Sequence, residues 1–433
     1  MLPIFAEMGL KSGHGLPLIT LMKRQIRTFS ALMTALMLTA LGLTACTGNN
    51  SRNTIGLTRG AGAPSTASAQ GPVRGILPDA VCPMGDFGLT GRVYYYCDCP
   101  SGSAGADCRP GSDVNEGRNT DPALPARSID LAFTRFNKLQ AGEKIALCRG
   151  GVFTPRAQTR LFNAACAPGK RCGIIDYVSP AAKSSRRPMI KTRGHGLIFS
   201  NPGSSARDGG YFTRNLNLSG SGRENSAGVL VYNDAHDINM CGLRVEGFHT
   251  GVRVGGFIGP PVSGNGLSER ITLRNSELIN NTARGWSGGG SDFVVRDNYF
   301  YNNGHGMPER YAHSIYVSGN YGSKAIARRM VVSGNRIEKN AHSPGGGCVD
   351  SAIAVHGRHD GLLIEANRIA ESRGSAGKSC RGITVAPAYD TPELLRNIVV
   401  RRNRIEFVGG ASVFTRACEN CDVRENKVLS LTD

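Results

Sequence analysis

Two short patterns alternate along the second half of this chain, and they restrict its fold more than any other feature. One is a small residue followed by apolar-x-apolar, as at residues 314–317 (Ser-Ile-Tyr-Val) and 352–355 (Ala-Ile-Ala-Val). The other is apolar-x-x-Asn-x-apolar, as at residues 295–300 and 332–337. Self-similarity that recurs every few tens of residues is typical of proteins built from stacked repeats. The chain is therefore predicted to wind as a series of coils.

Both patterns have the period of two that is expected of a β-strand, so their apolar residues point to one side. The first pattern occurs at residues 228–231, 251–254, 285–288, 314–317, 352–355, 382–385 and 412–415. The second occurs at residues 273–278, where Ser276 replaces Asn, and at 295–300, 332–337, 364–369, 400–405 and 423–428.

Stacked coils would place equivalent residues in columns about 4.8 Å apart. Asparagine tolerates the left-handed backbone of a sharp corner, and its side-chain amide can bond to the asparagine of the next coil. A structural ladder is therefore predicted for Asn298, Asn335, Asn367, Asn403 and Asn426.

The strand repeats and the asparagine column resemble the pectate-lyase-like superfamily of right-handed parallel β-helices. The resemblance covers residues 113–433 and implies an all-β, single-stranded right-handed parallel β-helix with a short amino-terminal capping helix, which residues 128–133 match. We expect a Cys-rich amino-terminal segment at residues 76–125 and the β-helix at residues 126–433. Members of this superfamily include pectin and alginate lyases, glycosidases, epimerases and non-catalytic surface proteins, so the fold alone does not define an activity.

The amino terminus has the parts of an export signal, beginning at Met22 rather than at the first residue. A basic segment precedes an apolar run at residues 29–43 and the sequence Leu-Thr-Ala-Cys, which ends at Cys46. This arrangement resembles the lipobox of bacterial lipoproteins. We expect a signal and lipobox region at residues 1–46, a flexible tether at 47–75, and a lipid anchor in the outer membrane, on its periplasmic or cell-surface face. The alternative is an ordinary cleaved signal with an incidental cysteine.

The cysteine content also favours an oxidising compartment. Thirteen cysteines are present, and without Cys46 an even number remains, which suits disulfide formation. Cys348 and Cys380 occupy equivalent loops of adjacent coils, so a disulfide could join these two loops. The motif formed by Cys418 and Cys421 resembles a zinc or redox site, but a single C-x-x-C pair in an exported protein favours a local disulfide or two separate ones.

The superfamily resemblance implies that the small-apolar-x-apolar pattern is the first strand of each coil. It also implies that sugars bind on the outer face of this strand. The outward residues of that strand are Leu230, Tyr232, Arg253, Ser287, Tyr316, Ser318, Ala354, His356, Thr384, Phe414 and Arg416. The loops that lead into this strand are longest in the middle coils, at residues 300–315, 337–353 and 369–383. Long loops beside one patch of a rigid sheet form a groove, where functional residues concentrate.

The charge of the chain indicates an acidic partner. Its formal net charge is +18 at pH 7, and such an excess attracts polyanions. For an exported protein this favours acidic polysaccharide over nucleic acid, and we expect the protein to bind such a polymer and to cleave it by β-elimination. The alternative is a non-catalytic carbohydrate-binding or structural β-helix at the cell surface.

A β-eliminating lyase needs a base beside a uronate carboxylate and cations that offset the charge developing there. The candidate catalytic residues are Tyr316, His313, His356 and Arg381. Tyr316 or His313 would act as base or acid, with His356 as an alternative. The candidate substrate-binding residues are Arg253, Arg358, Tyr232 and Arg416. Guanidinium groups suit this role because they bind a carboxylate through two parallel hydrogen bonds.

Two further sets of charged residues leave alternatives open. Asp350 and Asp360 could contribute to a calcium site of the kind that lyases use, but no acidic cluster is evident and no metal ligand is assigned. The third strand of each coil follows the asparagine of the second pattern. A mainly basic stripe alternates with the apolar residues of this strand, and Glu277 interrupts the stripe. Its members are Arg244, Tyr299, Arg336, Arg368, Arg404 and Lys427. This stripe either grips an acidic polymer or forms a solvated face that prevents sheets from associating, and the second interpretation is favoured.

Overall fold

The computed structural model describes residues 82, 89–99, 108–180, 184–200, 208–233, 235–255, 268–306, 311–318, 325–342, 346–371, 377, 379–388, 393–406 and 408–429. Within these residues the chain forms thirty strands, one α-helix and one 3-10 helix. The α-helix α1 spans Ile129–Phe136, and the 3-10 helix spans Asp113–Asn115.

The first ten strands are β1 (Val93–Tyr96), β2 (Lys144–Cys148), β3 (Val152–Phe153), β4 (Arg160–Leu161), β5 (Cys172–Tyr177), β6 (Met189–Lys191), β7 (Leu197–Ser200), β8 (Gly209–Arg214), β9 (Asn217–Ser219) and β10 (Ala227–Tyr232). The next ten are β11 (His236–Cys241), β12 (Arg244–Glu246), β13 (Thr250–Val254), β14 (Glu269–Arg274), β15 (Glu277–Ile279), β16 (Arg284–Gly288), β17 (Val294–Arg296), β18 (Tyr299–Tyr301), β19 (His313–Ser318) and β20 (Ala327–Ser333). The last ten are β21 (Arg336–Glu338), β22 (Ser351–His356), β23 (Arg358–Glu365), β24 (Arg368–Ala370), β25 (Arg381–Val385), β26 (Leu394–Arg401), β27 (Arg404–Glu406), β28 (Val413–Thr415), β29 (Asp422–Arg424) and β30 (Lys427–Leu429).

These strands form three sheets in which every pairing is parallel. Sheet 1 has nine strands, in the order β4-β7-β10-β13-β16-β19-β22-β25-β28. Sheet 2 has eleven, in the order β1-β2-β5-β8-β11-β14-β17-β20-β23-β26-β29. Sheet 3 has ten, in the order β3-β6-β9-β12-β15-β18-β21-β24-β27-β30. From β7 onward each coil visits the three sheets in turn, and this arrangement confirms the predicted right-handed parallel β-helix.

The interior of the solenoid consists of columns of apolar side chains, one from each coil. In sheet 1, Ile315 pairs with Ile353, which pairs with Ile383, and all three side chains are fully buried. The largest buried side chain is that of Trp286, whose ring lies edge-on to Phe293. Full burial of one such aliphatic or aromatic side chain contributes roughly 1.5–3 kcal/mol, so the repeated apolar positions supply the main stabilising term of every coil.

The predicted asparagine ladder is present at the corner between sheets 2 and 3. In each step the backbone N–H and the side-chain amide of one asparagine both donate to the side-chain oxygen of the next. For Asn298 and Asn335 both distances are 3.0 Å, and the contacts continue through Asn367 and Asn403 to Asn426. At the amino-terminal end of this ladder, the Ser276 N–H donates to the Asn298 side-chain oxygen.

A second ladder, which the sequence patterns did not indicate, follows the corner between sheets 3 and 1. Asn281 donates to the side-chain oxygen of Asn303, and the Asn303 N–H donates to that of Asn340. The next position is Glu371, whose Oε1 accepts a hydrogen bond from the Asn340 N–H at 2.9 Å. These buried amides hold successive coils in register because an unpaired buried polar group is costly.

The predicted capping helix corresponds to α1. Ser128 accepts hydrogen bonds from the backbone at its amino terminus, while Phe133 and Phe136 face the core. The Phe136 ring lies 5.2 Å from that of Tyr211, so the helix packs against the amino-terminal coils. Strand β1 precedes this helix and already pairs with β2 in sheet 2.

Six disulfides cross-link the described residues. The bridge suggested for Cys348 and Cys380 is present, and of the two alternatives for Cys418 and Cys421 the local disulfide is found. The other four are Cys82–Cys241, Cys97–Cys148, Cys99–Cys108 and Cys166–Cys172. Among the described residues, no helix has the length and apolar character needed to span a membrane. Cys46 and the tether at residues 47–75 lie outside the described residues.

Candidate functional site

The outer face of sheet 1 carries a cavity of about 720 Å³, to which six consecutive strands contribute, from β13 to β28. We call it the sheet 1 cavity. Its polar and aromatic lining residues are Arg253, Arg284, Ser287, Tyr311, His313, Tyr316, Ser318, Asp350, Ser351, His356, Arg381, Thr384, Phe414 and Arg416. The parallel register explains this convergence, because Ser287, Tyr316, Ala354, Thr384 and Phe414 are successive partners across the sheet.

Six of the eight residues predicted for catalysis or substrate binding line this cavity. They are Tyr316, His313, His356, Arg381, Arg253 and Arg416. The other two lie elsewhere. Tyr232 is only 4% exposed and packs in a buried cluster with Ile198 and Leu230, and Arg358 begins β23 in sheet 2.

The Tyr316 ring is at the centre of the polar groups in the cavity. The His313 imidazole stacks on it with the two ring centroids 5.3 Å apart and an interplanar angle of 16°. The Arg284 guanidinium carbon lies 4.3 Å from the centroid of the same ring, within cation–π distance. The His356 ring lies 5.5 Å away, on the next strand of the sheet. Two imidazoles and a guanidinium therefore surround the phenol ring of Tyr316.

Hydrogen bonding fixes which nitrogen of His313 carries the proton. Its Nδ1 lies 3.0 Å from the carbonyl oxygen of Ser351, and a carbonyl can only accept, so Nδ1 is the N–H donor. In the neutral ring the lone pair is then on Nε2. Burial lowers the pKa of His313, although the Asp350 carboxylate, 3.9 Å from Nδ1, acts in the opposite direction. His313 is therefore a neutral imidazole at neutral pH, as a general base must be.

His356 is oriented in the same way. Its Nδ1 donates to the carbonyl oxygen of Ala386, which leaves the lone pair of the neutral ring on Nε2. The carbonyl oxygen of His356 accepts a hydrogen bond at 2.8 Å from Nε2 of His359. His359 is fully buried, and this burial lowers its pKa to about 4. A neutral buried histidine thus supports the strand that presents His356.

The cavity holds four arginines and one carboxylate. Arg253, Arg381 and Arg416 form no ion pair with any residue that the structure describes. The Arg381 guanidinium lies 4.5 Å from the centroid of Phe414, and Arg416 donates to the carbonyl oxygen of Pro387. Burial lowers the pKa of Arg253, but a guanidinium stays protonated in proteins. The cavity therefore has an excess of positive charge that suits an anionic ligand.

Sequence reasoning missed Arg284, although its position carried a signal. Arg284 lies two residues before the inward-facing Trp286, just as His313 precedes Ile315 and as Arg381 precedes Ile383. The sheet pairs Arg284 directly with His313. The long loops identified His313 and Arg381, and the register position that these two residues share would have identified Arg284.

The two aspartates considered for calcium do not converge. Asp350 lines the cavity, whereas Asp360 lies in sheet 2, within ion-pair distance of Arg328 and Arg396. Among the described residues, the group of three or more metal-type ligands that does converge is formed by Cys97, Cys99, Cys108 and Cys148. These four cysteines are paired in two disulfides.

The basic stripe of sheet 3 has acidic partners. The ion pairs on this face are Arg244–Glu246, Arg244–Glu277, Arg336–Glu338, Arg368–Glu406 and Arg404–Glu406. Glu246, Glu338 and Glu406 each follow an arginine of the stripe by two residues, so their side chains lie on the same outer face. These carboxylates offset the charge of the four arginines in the stripe, which fits the interpretation as a solvated face.

The fold and the cavity together define a right-handed parallel β-helix with a cationic groove on its first sheet. No protein-family model matches this chain, and no curated protein matches its sequence. Solved structures with a similar architecture include an alginate lyase from Paenibacillus sp. str. FPU-7, 14% identical, with 69% of this chain and 97% of that chain covered and a TM-score of 0.41. A GH136 lacto-N-biosidase from Eubacterium ramulus is 15% identical, with 78% of this chain and 68% of that chain covered and a TM-score of 0.46. The A-module of a mannuronan C-5 epimerase from Azotobacter vinelandii is 13% identical, with 69% of this chain and 94% of that chain covered and a TM-score of 0.31.

Proposed function

We propose that this protein binds an acidic polysaccharide in the sheet 1 cavity and cleaves it by β-elimination. The observation that supports this proposal most strongly is the stacked pair of His313 and Tyr316 in a cavity whose Arg253, Arg381 and Arg416 form no ion pair with a described residue. A neutral imidazole, a phenol and several guanidinium groups are the groups that this reaction requires.

The proposed reaction removes the proton on the carbon beside a uronate carboxylate. Arg284 and Arg253 bind the carboxylate and stabilise the negative charge that develops on it. Nε2 of His313 accepts the proton, the electron pair of the broken C–H bond forms a carbon–carbon double bond, and the glycosidic C–O bond breaks. The Tyr316 hydroxyl donates its proton to the leaving oxygen. The products are a new chain end and an unsaturated uronate.

The arrangement of the cations favours a polymer that lies along the solenoid axis. Adjacent strands are about 4.8 Å apart, a spacing comparable to the length of one sugar unit. Counted in strands from Tyr316, Arg284 and Arg253 lie one and two strands away on one side, whereas Arg381 and Arg416 lie two and three strands away on the other. Consecutive uronates would therefore pair with more of these cations than uronates in alternate positions.

The proposal includes export and a lipid anchor at Cys46. The basic and apolar segments before that cysteine support export. Six disulfides are also consistent with folding in an oxidising compartment, because such bonds are rare in reducing ones.

The test is to incubate the purified protein with alginate, pectate and glycosaminoglycans and to follow the ultraviolet absorbance of unsaturated uronates. We expect absorbance to rise with at least one polymer, and more steeply with a homopolymer of uronates than with an alternating one. Absence of new absorbance with every polymer would contradict the lyase. Retention on an acidic glycan column without product would instead support the non-catalytic carbohydrate-binding alternative.

A further inference from the structure

One wall of the sheet 1 cavity is formed by two loops of adjacent coils, joined by the Cys348–Cys380 disulfide. Each cysteine stands just before a residue of the cavity, because Asp350 follows Cys348 by two positions and Arg381 follows Cys380 directly. Both cysteines are at most 1% exposed. The covalent link between the loops is therefore buried and lies within two residues of Asp350 and Arg381, which line the cavity.

Hydrogen bonds around the disulfide fix the relative position of Asp350 and Arg381. The Arg381 N–H donates to the carbonyl oxygen of Asp350 at 3.2 Å. The Gly377 N–H donates to the carbonyl oxygen of Cys348 at 3.1 Å, and the Cys380 N–H donates to that of Gly377 at 2.9 Å. The two loops thus form one cross-linked unit.

This unit contacts the imidazole of His313. Oδ1 of Asp350 accepts a hydrogen bond at 2.7 Å from the N–H of Ser351, and the carbonyl oxygen of Ser351 accepts the one from Nδ1 of His313. Oδ1 of Asp350 also lies 3.9 Å from the same Nδ1. The contacts that orient the candidate base therefore come from a segment that begins two residues after Cys348.

The other end of the first loop is held by the second ladder. His342 bridges to Cys348 across the base of the loop, and its Nε2 lies 2.8 Å from Oε2 of Glu371. Oε1 of Glu371 accepts the hydrogen bond from the Asn340 N–H. One end of the loop is thus tied to the core of the solenoid, whereas the end that carries Asp350 is tied to the next coil by the disulfide.

We propose that the Cys348–Cys380 disulfide is a positioning element of the cavity, which holds Asp350 and Arg381 across adjacent coils and thereby keeps the imidazole of His313 oriented and shielded from water. Cys348, Cys380 and Asp350 act through His313 and Arg381 and are not themselves catalytic residues. The expected effect of the disulfide on turnover rests on the proposed function, whereas its expected effect on the pKa of His313 does not.

The test compares the full-length double variant C348S/C380S with C166S/C172S, which removes a local disulfide outside the cavity. Titration of the histidine rings would be followed by NMR, with the His313 signal assigned through the H313Q variant. Because burial is the largest cause of the lowered pKa of His313, opening the wall should raise that pKa toward 6.5 in C348S/C380S and leave it unchanged in C166S/C172S. On a polymer that the wild type cleaves, kcat should fall on the order of 10- to 100-fold in the first variant only.

The result that would overturn the proposal is a folded C348S/C380S protein whose His313 titration and kcat match those of the wild type. If that variant fails to fold, D350N keeps the disulfide and removes the carboxylate that raises the pKa of His313, so this pKa should fall further. An unchanged His313 titration in D350N would also contradict the proposal. A wild type that cleaves no polymer would refute the lyase but leave the His313 titrations as a valid test of the positioning role.

Discussion

The outer face of sheet 3 and the cavity on sheet 1 both present arginines, but the positive charge is balanced by carboxylates to a different extent on the two surfaces. On sheet 3, Arg336 and Arg404 each pair with a glutamate two residues further along the same strand. In the cavity, Arg253 and Arg381 have no such partner among the described residues. A column of positive charge therefore indicates a binding surface only when the neighbouring column leaves that charge unpaired.

The paired and unpaired arginines also differ in their contribution to stability. The ion pairs of Glu246 and Glu338 on sheet 3 are partly exposed, and such pairs contribute about 0–1 kcal/mol each. Solubility is sufficient to explain their presence on that face. A guanidinium group that is partly buried and unpaired, as that of Arg253 is, is less favourable for the stability of the free protein than a paired one. An anionic ligand would relieve this cost on binding.

The sharpest test of the comparison is to remove one tyrosine hydroxyl from each surface. We expect Y316F to lower kcat by about 10²- to 10⁴-fold, because the reaction loses its proton donor. The matched variant Y299F removes a hydroxyl that donates to Glu338 on sheet 3, and it should leave turnover unchanged. Rates on the polymer that the wild type cleaves best would be measured for both, and equal rates in Y316F and wild type would remove Tyr316 from the mechanism.

A second test exchanges one arginine on each surface. R381Q should raise KM for an acidic polymer on the order of 10-fold, because a desolvated charge-assisted contact is lost. R336Q lowers the net charge equally but removes a cation already paired with Glu338, so KM should not change. If R336Q weakens binding as much as R381Q does, the stripe on sheet 3 also grips the polymer and the contrast fails.

The pH dependence of kcat/KM tests the protonation state of the base. Burial lowers the pKa of His313, so its neutral form persists to a more acidic pH than that of an ordinary histidine near 6.5. The rate should stay high below pH 6.5 and then fall by about tenfold per pH unit once His313 becomes protonated. Loss of activity on the acidic side with a midpoint at or above 6.5 would contradict this assignment.

The smallest expected effect comes from converting the paired surface into an unpaired one. The double variant E338Q/E406Q removes the partners of Arg336, Arg368 and Arg404. It should lose no more than about 1 kcal/mol of stability at the partly exposed Glu338 and more at the buried Glu406. It should also gain weak, salt-sensitive retention on an acidic glycan column. Its turnover should be unchanged, and retention equal to that of the wild type would show that pairing does not control anion binding on this face.

The fold was predictable because its determinants are local and repeated. The asparagine ladder from Asn298 to Asn426 and the apolar columns follow from spacing alone, since equivalent positions of a coil must stack. The second ladder was not predicted, although Asn281, Asn303 and Asn340 each lie three residues after the last apolar residue of the second pattern. The loops that follow differ in length, and the next member of the ladder is Glu371 instead of an asparagine.

The candidate site was predictable in part, for a related reason. Tyr316 and His356 follow from strand parity, whereas His313 lies at the corner where parity does not indicate which way a side chain points. Tyr232 has the parity of an outward residue, yet it is covered by its neighbours. The sheet 3 arginines pair through contacts between side chains two residues apart along a strand. A search for columns of like charge does not detect such contacts.

The asparagine ladder has a direction. The side-chain oxygen of Asn335 accepts hydrogen bonds from the backbone N–H and the side-chain amide of Asn298. The Asn335 amide donates backward to the carbonyl oxygen of Val295 at 2.9 Å and forward to the side-chain oxygen of Asn367. If Asn335 lost its side chain, the Asn298 N–H and the Val295 carbonyl oxygen of the preceding coil would lose this partner, at a cost of about 1–3 kcal/mol for each buried group left unsatisfied. In the next coil, the Asn367 oxygen would still accept a hydrogen bond from the Asn335 backbone N–H. Each coil is therefore completed by the one after it, and a defect at any corner weakens the solenoid on its amino-terminal side first.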